Sequence, residues 1–389
     1  MVRLAQESAS VPLAEHAERV RSTQRAMAER GLDAMLIVSP ENIYYLVGLD
    51  HQGYFAFTML ILHVESEPVL VSRAMERSTV AAQVPGCVHE AFEDDEDPTA
   101  AAIRAVNSSV PAGSRVGIEL DTMFFPPRIV RGLMEEVHNV EWADASGLVE
   151  QLRAVKSPTE LTWVRAAALA SDEAMRAGIE AARPGVSERE IAAAVYHQLV
   201  RSGSEYPGFA PLIRSNGNLL QEHVTWSGRR LASGDMLFLE LSASVRRYHA
   251  PLTRMVHFDK LPPRTSDVAE IALAGLEEIR QNLRPGAVVG DVYDAWQRIV
   301  DEGLGHKLYR RHHCGYAVGI GYPPSWVGGS TVVGIRRGGH FVVREGMVFH
   351  VLSWIIGQEP ADYVVSDTAV VTAEGCELLT ATPREPLIV

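Results

Sequence analysis

The chain has 389 residues, a hydrophobic fraction of 47% and a formal net charge of −13 from 36 basic and 49 acidic side chains. That is long enough for two domains with filled cores, and an acidic balance without a basic block argues against a nucleic-acid partner. Cys87, Cys314 and Cys376 are scattered with no CxxC, which argues against a disulfide framework or a thiolate metal cluster and fits a reducing cytoplasm. Met1 to Glu15 is polar and lacks the apolar core of a signal peptide. The longest apolar runs, Phe55–Val64 and Met347–Ile356, are too short to span a bilayer. The expectation is a soluble cytoplasmic protein with no membrane partner.

Leu13 to Arg30 has helical spacing, with Val20, Met27 and Leu32 facing inward and Gly31 ending the helix. Asp33–Ser39 reads as a core strand stopped by Pro40, and Asn42-Ile-Tyr-Tyr-Leu-Val-Gly48 leads into a polar, aromatic loop from Leu49 to Phe55. Phe55–Val64, Pro68–Ser72 and Arg115–Glu119 are further strands; Thr99–Val106 and Pro126–Val137 are helices. The acidic run Glu93–Asp97 reads as a solvated loop. Alternating strands and helices over the first part of the chain describe a self-contained α/β domain. Asp144–Lys156 is expected to be helical, and Lys156-Ser-Pro-Thr-Glu160 starts another helix with Pro158 in its first turn. The boundary falls at this junction, giving domains 1–155 and 156–389.

The second domain opens with a long Ala-rich helix through Arg183, then Pro184-Gly-Val-Ser and a capped helix to about Arg201. An irregular polar segment from Tyr206 to Arg230 follows and contains His223. After the turn at Gly234-Asp235 comes a buried strand through Glu240, a short basic link from Ala243 to Arg247, and a return strand from Tyr248. The same order then recurs: helix Thr265–Leu283, Pro285-Gly, a helix to about Leu304, a Gly- and His-rich loop, the strand Gly346–Ser353 and its partner Tyr363–Thr372. Two units of helix, helix and hairpin describe a duplicated module with a cleft where the hairpins meet.

Glu240 stands between Leu239 and Leu241 in an apolar run. An ionised carboxylate there is costly unless its head reaches water at a sheet edge or something positive meets it.

Several segments, taken in order, resemble one family. They are Asn42–Gly48, Leu152-Arg-Ala-Val-Lys-Ser-Pro-Thr-Glu-Leu161, His223 with Leu231-Ala-Ser-Gly-Asp235, Thr253-Arg254, Gly315-Tyr-Ala-Val-Gly-Ile-Gly321, Gly346-Met-Val-Phe349 and Val370–Gly375 with Leu378-Leu-Thr380. The ordered set resembles the pita-bread family of methionine aminopeptidase, prolidase and creatinase over essentially the whole chain. The resemblance implies an α/β (α+β) fold, with a creatinase-like N-terminal domain and a pita-bread catalytic domain, and a homodimer. Peptidases of this family hold two metal ions with two Asp, one His and two Glu. The matching positions here are Glu240, Pro251, Tyr316, Leu352 and Ser366. Pro and Leu cannot ligate, and one carboxylate with two hydroxyls is no site for a divalent ion. His350 and Asp367, adjacent to or near lost positions, would with Glu240 imitate that site poorly. The expectation is no metal and no cofactor.

Without metals a peptide carbonyl goes unactivated, whereas an amidinium or guanidinium carbon is already electrophilic and needs only a buried anion and an acid/base. The resemblance therefore selects the metal-free branches, ectoine hydrolase first and creatinase second, and implies a small cationic zwitterion as substrate. Glu240 supplies the anion or a nucleophile, and His223 the acid/base. Tyr316, Tyr248, His350, His313 and Trp326 are expected substrate contacts. Arg254 either pairs a substrate carboxylate or is structural. His312 and His313 are adjacent, so only one is expected to point inward. Tyr54 and Phe55 fall where family dimers extend a loop into the partner's site. Val327-Gly-Gly-Ser330 lacks an acidic residue expected there. The rival readings are a pita-bread protein that only binds a partner, and an Xaa-Pro dipeptidase, which requires the missing ligands.

Overall fold

The computed structural model describes residues 13–328, 332–357 and 361–389, so most of the polar N-terminus and the end of the Val327–Ser330 departure lie outside the described residues. The chain divides after Arg153 into two compact units.

The N-terminal unit is built on six strands: β1 (Ala34–Ile37), β2 (Met59–His63), β3 (Val69–Arg73), β4 (Val88–Phe92), β5 (Arg115–Ile118) and β6 (Glu141–Asp144). Their order is β4-β3-β2-β1-β5-β6, with β2 antiparallel to both neighbours and the other pairs parallel. The helices are α1 (Leu13–Glu29), α2 (Pro40–Val47), α3 (Arg77–Gln83), α4 (Pro98–Ser109), α5 (Pro127–Glu136) and α6 (Leu148–Arg153). β1 and β2 are buried along their whole length, as strands covered on both faces must be. Asp97 caps α4 through the Thr99 amide, so the acidic run ends in a structural role. The segment expected to be one helix, Asp144–Lys156, instead gives the last residue of β6, a turn at Gly147 with φ +78°, and the short α6. Gly147 breaks the helix because only glycine adopts that backbone without strain.

The second unit opens with α7 (Pro158–Ala181) and α8 (Glu188–Arg201). Each starts in a capping box, Ser157 with Glu160 and Ser187 with Glu190. Its strands are β7 (Leu212–Ser215), β8 (Met236–Leu241), β9 (Ser244–Val245), β10 (Tyr248–His249), β11 (Leu252–His257), β12 (Gly315–Ala317), β13 (Val348–Ile355), β14 (Tyr363–Thr372), β15 (Gly375–Leu378) and β16 (Leu387–Ile388). Helices α9 (Thr265–Asn282) and α10 (Val289–Leu304) separate the two sets. The main sheet runs β12-β13-β14-β11-β8-β7, with β15 on β14 and β16 on β11. In chain order this is helix, helix and three strands, twice over. In space, β7-β8-β11 and β12-β13-β14 lie mirrored about the central β11–β14 pair. The duplication read from the sequence is therefore a property of the sheet. α7 and α8 pack on it and close the core around Ile191, Val195, Leu237, Leu239 and Val256, and α9 packs against β13, β14 and β15.

Candidate active site

One row of residues crosses the sheet of the second unit: Leu212 opposite Glu240, Glu240 opposite Thr253, Thr253 opposite Ser366, and Ser366 opposite Leu352. Directly opposed residues of antiparallel strands project to one face. On that face Leu212, Glu240 and Leu352 line a cavity of about 420 Å³, a size that suits a small molecule.

Glu240 is buried, and no donor among the described residues lies within hydrogen-bond distance of its carboxylate. Burial pushes its pKa up to about 7, against the opposing charges of Arg214 and Arg311. His223 lines the same cavity from an exposed turn, in the left-handed backbone region at φ +46°, its ring stacked on Phe209 at 6.2 Å. Phe209 meets Trp326 edge-on at 4.7 Å. Gly208 permits this approach, because a Cβ there would sit 2.4 Å from the Ser325 carbonyl oxygen.

Across the same face of the sheet from Glu240, a neutral chain of side chains is tied together, with Trp326 and Tyr316 at the cavity. The Trp326 indole N–H donates to the Tyr316 oxygen at 3.1 Å, and Tyr316 Oη lies 2.8 Å from His350 Nδ1. His350 Nε2 lies 2.6 Å from Ser366 Oγ, whose hydroxyl donates to Thr253 Oγ1 at 2.7 Å. Since the Ser366 proton goes to Thr253, His350 donates from Nε2 and accepts the Tyr316 proton at Nδ1. Burial first, then the His313 and Arg254 charges, hold His350 well below the usual histidine range, and burial with the Glu240 charge holds the Tyr316 phenol well above its own. Both are neutral. Tyr316 was expected to aim its hydroxyl at substrate; its O–H is instead committed to His350, and its oxygen can offer the cavity only an acceptor.

His313 lines the cavity with its Nδ1 buried and unpartnered, and burial brings its pKa down to about 3. His312 lines it as well, from the mouth, with the two rings crossed at 4.1 Å. The expectation that only one of the pair reaches inward is corrected by that crossed packing. Arg311 gives its two terminal nitrogens to Glu222 at 3.0 and 3.2 Å. Burial alone would raise the Glu222 pKa, but Arg311 holds it below the usual carboxylate range.

Five expected residues stand elsewhere: His350 lies behind Tyr316, bonded to it and to Ser366, and does not line the cavity. Arg254 is buried and spent on Asp367 at 2.8 Å and on the carbonyls of Thr253, Ser366, Thr382 and Pro383, so the structural alternative holds and no substrate carboxylate reaches it. Tyr248 is buried against Trp163 at 5.4 Å and its hydroxyl donates to Glu160; it lies outside the cavity wall. Tyr54, edge-on to Phe124, and the exposed Phe55 belong to the N-terminal unit. Arg214, Glu222, Phe209, Arg311 and Arg336 line the cavity and were not expected.

The donor set does not fit the family's metal pair. Pro251 and Leu352 carry no ligating atom, and Ser366 is hydrogen-bonded within the wall. Asp367 faces away from Ser366 and is taken up by Arg254, Arg384 and Thr380. Among the described residues no group of three or more His, Cys, Asp or Glu side chains could hold a metal ion, and no helix is long and apolar enough to cross a membrane.

Residues 162–373 match the model of metallopeptidase family M24, and residues 19–155 that of the creatinase/prolidase N-terminal domain. The chain is 28% identical over 390 residues to an uncharacterized hydrolase/peptidase of Sinorhizobium fredii, covering 96% of this chain and 97% of the relative. It is 26% identical over 399 residues to the ectoine hydrolase of Halomonas elongata, covering 95% and 96%. A dipeptidase crystal structure from Pyrococcus horikoshii superposes with a TM-score of 0.82 at 22% identity, over 95% of this chain and all of that one; at that identity it speaks for the fold alone.

Proposed function

The chain belongs to metallopeptidase family M24, a family of hydrolases, and from that premise we propose that it hydrolyses a non-peptide C–N bond in a small cationic zwitterion without a metal, with a cyclic amidine such as ectoine as the first substrate. The observation that carries this reading is Glu240: a buried carboxylate with no hydrogen bond among the described residues, opening on a cavity of small-molecule size. A carboxylate left in that state calls for a cation to compensate its desolvation. An amidinium supplies the charge and two N–H donors, for which Glu240 and the Tyr316 oxygen are acceptors.

In this reading Glu240 holds the amidinium and His223 takes a proton from water as its oxygen bonds to the amidinium carbon. One C–N bond then breaks, and the proton passes to the departing nitrogen, leaving an amide and an amine. Alternatively a Glu240 oxygen bonds to the amidinium carbon, one C–N bond breaks as a proton from the retained nitrogen passes through His223 to the departing one, and water then cleaves the resulting imidate ester to the amide and free Glu240. Label in Glu240 after single turnover in ¹⁸O-water would establish the covalent route, since it arises only when water attacks the Glu240 carboxyl carbon of that ester. The relative that acts on ectoine supports the substrate class; creatine-like guanidino acids stand second. The proposal includes a homodimer in which Tyr54 and Phe55 are offered to the partner's site.

The test is to incubate chelator-treated protein with ectoine and with creatine and follow products by mass spectrometry. Turnover is expected with at least one, and Glu240→Gln and His223→Ala are each expected to abolish it. Hydrolysis of a Xaa-Pro dipeptide restored by added divalent metal, with neither zwitterion consumed, would overturn the proposal.

A further inference from the structure

The cavity wall holds a second buried charge whose bonding is incomplete. Arg214 on β7 is 1% exposed, with its guanidinium 3.9 Å above the Phe238 ring. Nη1 donates to the Gln221 carbonyl at 2.7 Å. Nε and Nη2 are buried and have no acceptor among the described residues. These two nitrogens share one edge of the planar group, and their parallel N–H bonds form the fork that matches the two oxygens of a carboxylate. A charged donor pair left unsatisfied in a low-dielectric wall is costly, unless a ligand completes it.

Charge balance around the cavity points the same way. Its lining carries three arginines, Arg214, Arg311 and Arg336, against two glutamates, Glu222 and Glu240. Arg311 and Glu222 are bonded to each other, which leaves two arginines facing one glutamate. A plain cation would meet a wall of net positive charge, whereas a molecule carrying both signs can satisfy Glu240 and Arg214 together. Of the two remaining arginines, Arg336 is exposed at the rim and Arg214 is buried.

We propose that Arg214 is the substrate-binding residue that receives the carboxylate of the substrate through its Nε–H and Nη2–H edge, and thereby restricts the enzyme to amidines or guanidines bearing an acid group. This rests on the zwitterion reading above. That edge is closed to solvent, so the proposal requires a small rotation of the guanidinium on binding.

The test compares wild type, Arg214→Met and Arg214→Lys with three probes. They are ectoine, the same cyclic amidine lacking its carboxyl group, and isobutyrate, a carboxylate with no amidine. Trp326 and Trp354 line the cavity, so binding is read from tryptophan fluorescence and turnover from product formation. In Arg214→Met, KM for ectoine and Kd for isobutyrate are expected to rise about 10- to 100-fold, the range for a charge-assisted bond, and the decarboxylated amidine is expected to lose much less, only what Glu240 loses with the Arg214 charge. Arg214→Lys keeps the charge without the fork and is expected to fall between. It also keeps the proposal testable if the Met variant fails to fold. Equal losses with ectoine and its decarboxylated analogue, or wild-type binding of isobutyrate no tighter than that of Arg214→Met, would overturn the assignment. If isobutyrate binding depends on Arg214 while no amidine is hydrolysed, the carboxylate site stands and the hydrolase reading falls.

Discussion

Glu119 in the N-terminal unit and Glu240 in the second are both buried carboxylates whose pKa burial pushes upward. Their surroundings differ. Glu119 accepts the Val38 and Ser39 amides at 2.8 and 2.9 Å and the Asn42 side-chain amide at 2.5 Å, with Glu150 bonded to the same Asn42. Its lone pairs tie the ends of β1 and β5 to the start of α2. Glu240 has no such bonds and faces a cavity. Burial by itself therefore does not mark a functional group. A buried carboxylate that the fold satisfies is part of the fold, and one that the fold leaves open is waiting for a ligand.

Breaking each carboxylate should separate these roles. Glu240→Gln is expected to lower turnover at least 10³-fold, the scale of losing a nucleophile or a buried transition-state charge, while the fold gains. The wild-type group is held at about 7 against an ordinary 4.5. Its contribution to stability is thus complete below pH 4.5 and is lost as pH rises through 7. Urea denaturation at pH 4 and pH 8 should show wild type losing on the order of 3 kcal/mol relative to Glu240→Gln over that interval. A constant difference would mean that the carboxylate is solvated.

Glu119→Ala should do the reverse. Two backbone amides lose their acceptor, at a cost of about 2 to 4 kcal/mol, and kcat per folded molecule should stay at the wild-type value. A loss of kcat without a loss of stability would erase the distinction between the two sites.

The comparison also shows which parts of the chain were legible in the sequence. The repeated order of helices and hairpins was readable because each half carries its own Pro-Gly turn and apolar strand, and the sheet pairs the halves about β11 and β14. Glu240 was readable because a charge between Leu239 and Leu241 contradicts its surroundings. Arg214 offers the same contradiction after Leu212 and Ile213, but the Gly, Asn and Pro around it led to the whole segment from Tyr206 to Arg230 being read as irregular. A four-residue strand carries too few positions for its alternation to stand out. Arg254 shows the converse: its residue type suited a substrate carboxylate or a structural role alike, and only the arrangement of Asp367 and four carbonyls decides for the second. Side-chain type is written in the sequence, whereas the number of donors already spent is decided by the fold.

Leu352 is the mate of Glu240 in the other half of the sheet, three positions along the row with Thr253 and Ser366 between them. Leu352→Glu places a second carboxylate in the same cavity wall. Like charges in a low-dielectric site cannot both ionise cheaply, so the acid limb of kcat/KM, expected near pH 7 in the wild type, should move up by about one unit, with roughly a fivefold loss of activity at pH 7. The profile is measured with ectoine between pH 5 and pH 9. An unchanged limb would place Glu240 and Leu352 too far apart, or in too much water, to share a site.

The smallest effect is expected at the mouth. Glu222 raises the Glu240 pKa through its charge, and Arg311 lowers it. The two are bonded to each other, with Glu222 42% exposed and Arg311 8%, so solvent screens the carboxylate more than the guanidinium. Glu222→Gln removes the negative member and frees the buried Arg311 charge to act on Glu240. The acid limb should then shift down by a few tenths of a pH unit, in the opposite direction to Leu352→Glu. Stability should fall by about 1 to 3 kcal/mol, because the buried Arg311 keeps its charge and loses its ionic partner. High salt should shrink the shift in Glu222→Gln but barely touch that in Leu352→Glu, since screening reaches the rim before it reaches the floor of the cavity. If salt shrinks both shifts equally, Glu240 is open to bulk solvent and has no need of a cationic ligand.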